Sequence, residues 1–177
     1  LAVGYLSGKI KSYFSDGSEL GVHIEYVSEE EPLGTAGALK LVVEQKIHNE
    51  SIYVANGDVL TTLDPRKMEA SRNKLRVAGC IGLVPLPSQY GVVEVDEESL
   101  IRSFQEKPLL PDHWINSGVY SFTPDVFSYL PTTGSLETDV FPILSQQGDL
   151  YGCKYENCFW QSIDSHKDIE EVSERLR

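Results

Sequence analysis

Apolar positions along this chain recur in short runs of two periodicities, and their alternation predicts strands interleaved with helices. "LAVGY" reads as a short strand, after which Leu6, Ile10, Tyr13 and Phe14 fall at helical spacing until "SDGSELG" supplies a turn. "VHIEYVS" alternates with period two, placing Val22, Ile24 and Tyr26 on one side of a strand. From Gly34 onward Ala36, Leu39 and Val43, flanked by Ala38 and Val42, predict a largely buried helix. "SIYVANGD" is an apolar strand with a polar tip, and Asp64 followed by Pro65 marks a helix start that should run to about Lys74.

The second half continues the pattern. "VAGCIGLVPL" predicts a buried strand, and "YGVVEVDEESLIRSFQEKP" two strands joined by an acidic turn at Asp96 to Ser99. "WINSGVYSF" is a further strand, Thr123-Pro124 starts a short helix, and Glu137 to Gln147 reads as a helix stopped by Gly148. "DLYGCKYE" and "CFWQSID" are the last strands, and Ser165 with Asp168 three residues on caps a terminal helix. With no repeat, low-complexity stretch or linker, residues 1–177 are expected to form a single domain. The alternation predicts a three-layer α/β/α sandwich whose sheet is mixed, the hairpin near residues 90–107 being antiparallel. Ligands of such sheets sit beyond the carboxyl ends of the strands.

Composition narrows the partners. A chain of 177 residues with 41% apolar content can bury one full core. Twenty-seven acids against fifteen bases give a net charge of −12, which repels nucleic-acid backbones and anionic membrane surfaces. A small phosphorylated ligand is not excluded, because a few backbone N–H groups, one lysine and a divalent cation reverse the field locally. Cys80, Cys153 and Cys158 are odd in number and lack zinc spacing, so they read as buried thiols of a reducing cytoplasm. No apolar run approaches a membrane span, and the expectation is a soluble cytoplasmic protein. Oligomeric state leaves no signature, and a homo-oligomer stays open.

Polar or glycine-rich sequence ends strands in four places: "EEEPLGTAG", "NGD", "EKP" together with "NSG", and "WQSID". In "EEEPLGTAG", Pro32 stiffens the approach while Gly34 and Ala36 leave peptide groups uncovered at a helix start, where a flat base could be read; a plain turn with a close helix contact is the alternative. "ANGDV" puts Asp58 past a buried strand, where it either holds a hard cation or forms a turn. "EKP" sets Lys107 toward a phosphate and Glu106 toward a sugar hydroxyl, or is a solvated ion pair. In "INSGVY", Asn116 needs partners, from a ligand hydroxyl or from backbone, and Gly118 permits close approach. "FWQSID" ends in Asp164, a second carboxylate at a strand terminus or simply a helix-start acid.

Taken together these motifs resemble the sugar-phosphate nucleotidyltransferases, also called nucleoside-diphosphate-sugar pyrophosphorylases, and among them the mannose-1-phosphate guanylyltransferase-like group. The resemblance runs over essentially the whole chain, through "SDGSELGVHIEY", "EPLGTAGAL", "NGD", "YGVVE", "EKP", "NSGVY" and "DVFP". It implies the Rossmann-like fold of nucleotide-diphospho-sugar transferases, and a Mg²⁺-dependent transfer of a nucleotidyl group from a nucleoside triphosphate to mannose-1-phosphate or glucose-1-phosphate with loss of pyrophosphate. It places Gly34 and Thr35 against the base, Gly57 near the nucleoside, and Gly91, Glu106, Lys107 and Asn116 around the sugar phosphate. It gives the metal to Asp58 and a second acid after Trp160. Many relatives read W-x-D-I-G-T there, whereas this chain reads Trp160, Ser162, Ile163, Asp164, Ser165, so the acid lies two places later and Asp164 is assigned the role.

The family's glycine-rich loop, with its arginine and a further lysine, would precede Leu1, and an N-terminally truncated domain is therefore expected. A non-catalytic sugar-nucleotide-binding regulatory paralogue is the alternative function. A metal-dependent glycosyltransferase of related fold is a third, weakened by the lack of a D-x-D arrangement at "NGDV".

Overall fold

The computed structural model describes residues 1–47 and 50–176. In chain order the elements are β1 (Ala2–Val3), α1 (Ser7–Phe14), β2 (Val27–Ser28), α2 (Gly34–Lys46), β3 (Ile52–Ala55), β4 (Val59–Thr61) and α3 (Pro65–Leu75). There follow β5 (Gly79–Pro87), β6 (Val92–Val95), β7 (Ile101–Gln105), β8 (Leu109–Phe122), α4 (Phe141–Gln146), β9 (Leu150–Lys154), β10 (Trp160–Ser162) and α5 (His166–Arg175). Two compact units divide them. One holds Leu1–Ile52, Val77–Gly79 and Phe122–Leu150; the other holds Tyr53–Arg76, Cys80–Ser121 and Tyr151–Arg177.

In the first unit β1 and β2 pair in parallel, Ala2 with Val27 and Val3 with Ser28, and the two valines are buried. The strand expected over "VHIEYVS" is realised only at Val27–Ser28. Ile24 N donates instead to Asp16 O at 2.8 Å and Tyr26 OH to Ser15 O at 2.7 Å, so the preceding residues are tied to the turn after α1 rather than to a ladder. Helix α1 forms where the spacing of Leu6, Ile10, Tyr13 and Phe14 predicts, with Tyr13 83% exposed and no buried residue. The helix expected over Glu137–Gln147 begins as a π-helical turn, Leu136–Val140, and continues as α4. Pro142 explains the break: it has no N–H to return to the preceding turn, which widens. Gly148, at φ 71°, ends the run as expected.

The second unit is organised by a four-stranded sheet in the order β3–β8–β5–β9, apart from the end residues Ile52, Gly79, Phe122 and Leu150. Leu63, Met68, Cys80, Val84, Val119, Cys153 and Tyr155 form its core, with Ile115, Cys158 and Trp160 packed against them. The cysteines are free thiols, and burial pushes Cys80 up to about 12, which keeps it protonated and unreactive at neutral pH. Strands β6 and β7 make the expected hairpin, whose turn is held by Asp96: its carboxylate accepts from the Glu98 and Leu100 amides at 3.1 and 2.9 Å. Strand β4 pairs antiparallel with β10, Val59 opposite Ser162. Among the described residues no helix is long and apolar enough to cross a membrane.

Helix α3 starts where the Asp64-Pro65 pair predicts. Asp64 Oδ1 accepts from Arg66 N at 3.0 Å, and Met68 is fully buried four residues into the helix. Asp64→Ala is expected to lower unfolding free energy by about 1 kcal/mol through loss of the cap, read as a shifted midpoint in urea denaturation.

Candidate active site

Three of the motifs singled out in the sequence meet in the second unit. The turn Asn56–Gly57–Asp58 leaves the end of β3, and Asn56 N donates to Gly118 O of β8 at 2.8 Å. The β4–β10 ladder is extended by Ile163 N donating to Asp58 O at 2.8 Å. Trp160 Nε1 donates to Ser117 O at 2.8 Å. "NGD", "NSG" and "WQSID", more than a hundred residues apart at the extremes, are thereby joined by two main-chain hydrogen bonds and the Trp160 indole.

Gly118 is required at this junction. Its φ is 74°, the left-handed region that a side chain disfavours, and a Cβ there would stand 3.0 Å from Asn56 Nδ2. Asn56 was not singled out from the sequence, although it adjoins Gly57 and Asp58. Gly57 is different: among the described residues a Cβ on it would meet nothing within 4 Å, so none of their atoms explains its small size.

Asp58 and Asp164 are both exposed and lie just beyond the last paired residues, Val59 and Ser162. Because Ile163 N bonds to Asp58 O, Asp164 follows directly after the residue that the Asp58 main chain holds. Ser162 Oγ donates to Asp164 Oδ2 at 2.9 Å, so the serine at the family's usual acid position and the acid two residues later reach to one side. Asp164 is held from behind. Its N–H and that of Ser165 donate to Asp168 Oδ2 at 3.0 and 2.7 Å, completing the capping box of α5. No group of three or more His, Cys, Asp or Glu side chains suited to a metal occurs among the described residues. Two carboxylates nonetheless fit Mg²⁺, which keeps most of its shell for water and phosphate.

The amide of Asn116 is engaged within the chain: Nδ2 donates to Tyr120 OH and Oδ1 accepts from Gly118 N, both at 2.9 Å. Backbone and tyrosine, rather than a ligand, supply its first partners, and one N–H and one lone pair are left over. In the hairpin, Val92 opposite Gln105 sets Gly91 opposite Glu106, and a Cβ on Gly91 would stand 3.1 Å from Glu106 Oε2. Lys107 is exposed and has φ 47°, a strained setting just ahead of Pro108.

The "PLGTAG" motif lies in the first unit, where the chain's own loop packs against it. Two of the four N–H groups that open α2 are taken by the chain itself: Gly134 O accepts from Ala36 N at 3.0 Å and Gly37 N at 3.5 Å, and Gly134 N donates to Leu33 O at 2.8 Å. A Cβ on Gly34, at φ 75°, would collide with the Gly134 carbonyl, and one on Gly37 would stand 2.6 Å from Thr132 O. The chain's own loop therefore accounts for both glycines. Thr35 Oγ1 accepts from Leu136 N at 2.8 Å and stands 3.0 Å from Glu137 Oε2, to which it donates. Nothing in "PTTGS" announced that it would dock on α2.

The Nucleotidyl transferase family matches residues 3–177, and the chain belongs to that family. It is 35% identical over 176 residues to mannose-1-phosphate guanylyltransferase of Mycobacterium tuberculosis, covering 96% of this chain and 48% of that protein. It is 40% identical over 130 residues to D-glycero-alpha-D-manno-heptose 1-phosphate guanylyltransferase of Campylobacter jejuni, covering 72% of this chain and 56% of the relative. The crystal structure of HddC from Yersinia pseudotuberculosis superposes with a TM-score of 0.75 at 24% identity, over 100% of this chain and 77% of that one. The fold is thus the Rossmann-like fold of nucleotide-sugar transferases. The chain spans about half the length of the mannose-1-phosphate guanylyltransferases it matches.

The Asp168 carboxyl lies below its ordinary value, first because the Ser165 hydroxyl donates to its ionised form. A lowered folded-state pKa means that the box stabilises α5 above the unfolded-state carboxyl pKa and loses this as pH falls through the folded value. The stability difference between parent and Asp168→Asn, followed by urea midpoints, should be constant near neutrality and shrink below about pH 4.

Proposed function

We propose that this protein is a sugar-1-phosphate nucleotidyltransferase, converting a nucleoside triphosphate and a hexose-1-phosphate into a nucleoside-diphosphate sugar and pyrophosphate. The observation that carries the reading is the junction of "NGD", "NSG" and "WQSID" in a chain of this family, through Asn56 N to Gly118 O, Ile163 N to Asp58 O and the Trp160 indole to Ser117 O, which brings two exposed acids onto neighbouring stretches of main chain. Similarity to guanylyltransferases favours guanosine as the base and mannose-1-phosphate as the first sugar to test.

In the proposed reaction a phosphate oxygen of the sugar attacks the α-phosphorus in line, a new P–O bond forms, and the bond to pyrophosphate breaks. The attacking phosphate is largely ionised near neutral pH, so no residue need act as general base. Lys107 neutralises that phosphate and lowers the repulsion between two anions brought together, while Glu106 and the remaining polar atoms of Asn116 hold the sugar. Asp58 and Asp164 would hold Mg²⁺, which when bound spreads the charge of the triphosphate. Gly57, open on its side-chain face, allows the nucleoside to approach the main chain. Gly34 and Thr35 are assigned to the base by resemblance, Thr35 through whatever capacity its contacts with Leu136 and Glu137 leave.

Asp58→Asn and Asp164→Asn, made in the full-length protein, are each expected to cut Mg²⁺-dependent pyrophosphate release by about a hundredfold or more. Screening the common nucleoside triphosphates against mannose-1-phosphate and glucose-1-phosphate fixes base and sugar. Binding of a nucleotide sugar without turnover for any pair would favour the regulatory paralogue instead.

A further inference from the structure

The hairpin carries an aromatic side chain that the site described so far does not use. Phe104 stands opposite Val93 in the β6–β7 ladder, so the period-two rule puts it on the same ribbon face as Glu106 and Gly91. A Cβ on Gly91 would stand 2.7 Å from Phe104 Cζ and 3.1 Å from Glu106 Oε2, which means that ring tip and carboxylate converge over one bare stretch of main chain. Phe104 is nevertheless 64% exposed. The missing side chain at position 91 lets the ring lie across β6, beside the carboxylate, with much of its surface open.

We propose that Phe104 is the platform on which the pyranose ring of the sugar phosphate lies, with Glu106 accepting its hydroxyls from the side. This deepens the transferase reading above and rests on it. An aromatic face is the negative part of a quadrupole and attracts the weakly positive C–H bonds that one face of a pyranose presents. A carboxylate accepts from two hydroxyls at once. A flat apolar surface beside a carboxylate is therefore matched to a ring that is apolar on its face and hydroxylated on its rim. Lys107, next in the chain, supplies the cation such a ring needs when it bears a phosphate. Phe104 is a specificity-determining residue here, acting on ground-state binding of the sugar and not on the transferred phosphorus.

The same ribbon face also exposes Val93, Val95 and Ile101, so its rival occupant is a protein surface, including a second copy of the chain. The test uses Phe104→Leu, Phe104→Trp and Val95→Ser in the full-length protein. Phe104→Leu should raise KM for the sugar phosphate about tenfold, leaving KM for the nucleoside triphosphate and kcat within about twofold; Phe104→Trp should restore parental KM, and Val95→Ser should change neither. Saturation-transfer NMR with α-D-mannose 1-phosphate and α-D-glucose 1-phosphate, without nucleotide, should show ring protons saturated by the parent and weakened by Phe104→Leu. An unchanged sugar KM in Phe104→Leu overturns the proposal, as does an equal loss of self-association in Phe104→Leu and Val95→Ser by sedimentation. A parent that turns over no substrate pair defeats the transferase reading separately; the NMR arm then decides, saturation lost in Phe104→Leu supporting the platform and no saturation in the parent overturning it.

Discussion

Two peptide hydrogen bonds hold the candidate site together: Asn56 N to Gly118 O, and Ile163 N to Asp58 O, each 2.8 Å long. Each is worth only about 1 kcal/mol net, and their consequence is geometric. They fix the main chain of the acidic turn between two strands and leave its side chains outside the ladder. Such a frame tolerates exchange of the groups it presents. The chain has serine where many relatives carry the second acid, yet Ser162 Oγ reaches Asp164 Oδ2, so moving the acid by one full strand repeat keeps it on the same side.

Legibility followed the range of the interaction that decides each feature. Asp64-Pro65, Ser165 with Asp168, the acidic hairpin turn and Gly148 are settled within a few residues, and each is found where the sequence places it. The failures depend on distant partners. Alternation in "VHIEYVS" could not reveal that its partner, β1, supplies only two pairs, or that Asp16 and Ser15 would take Ile24 and Tyr26. The site shows the same division: its acids, lysine and glycines stand out as residue types, but Asn56, Ser117 and Phe104 gain meaning only once register and β8 are known.

Glycine is the sharpest case. "PLGTAG" invites the thought that something foreign approaches the backbone, yet the Gly134 carbonyl and Thr132 O fill that space. Gly118 is likewise explained from within, by its positive φ and by Asn56. Gly57 is not explained in this way, because it faces open space. Gly91 stands between the two cases: the tip of the Phe104 ring takes the place of its side chain, and that ring is itself exposed. A glycine points to a ligand only after the protein's own atoms have been tried in its place.

The charge of the chain sharpens the same distinction. With a net charge of −12 the protein repels phosphates at long range, and Asp58, Asp164 and Glu106 add to that repulsion at the proposed site. A nucleoside triphosphate and a sugar phosphate would bring several further negative charges to it. Under the proposed reading Lys107 offsets only part of this charge, and Asp58 and Asp164 would serve binding by holding a divalent cation that the phosphates share. Without such a cation the acids would oppose binding of phosphates, and with it they would favour it. Metal dependence is thus a consequence of the charge arrangement under the proposed reading, and would follow even if the sugar and the base were other than those tested first.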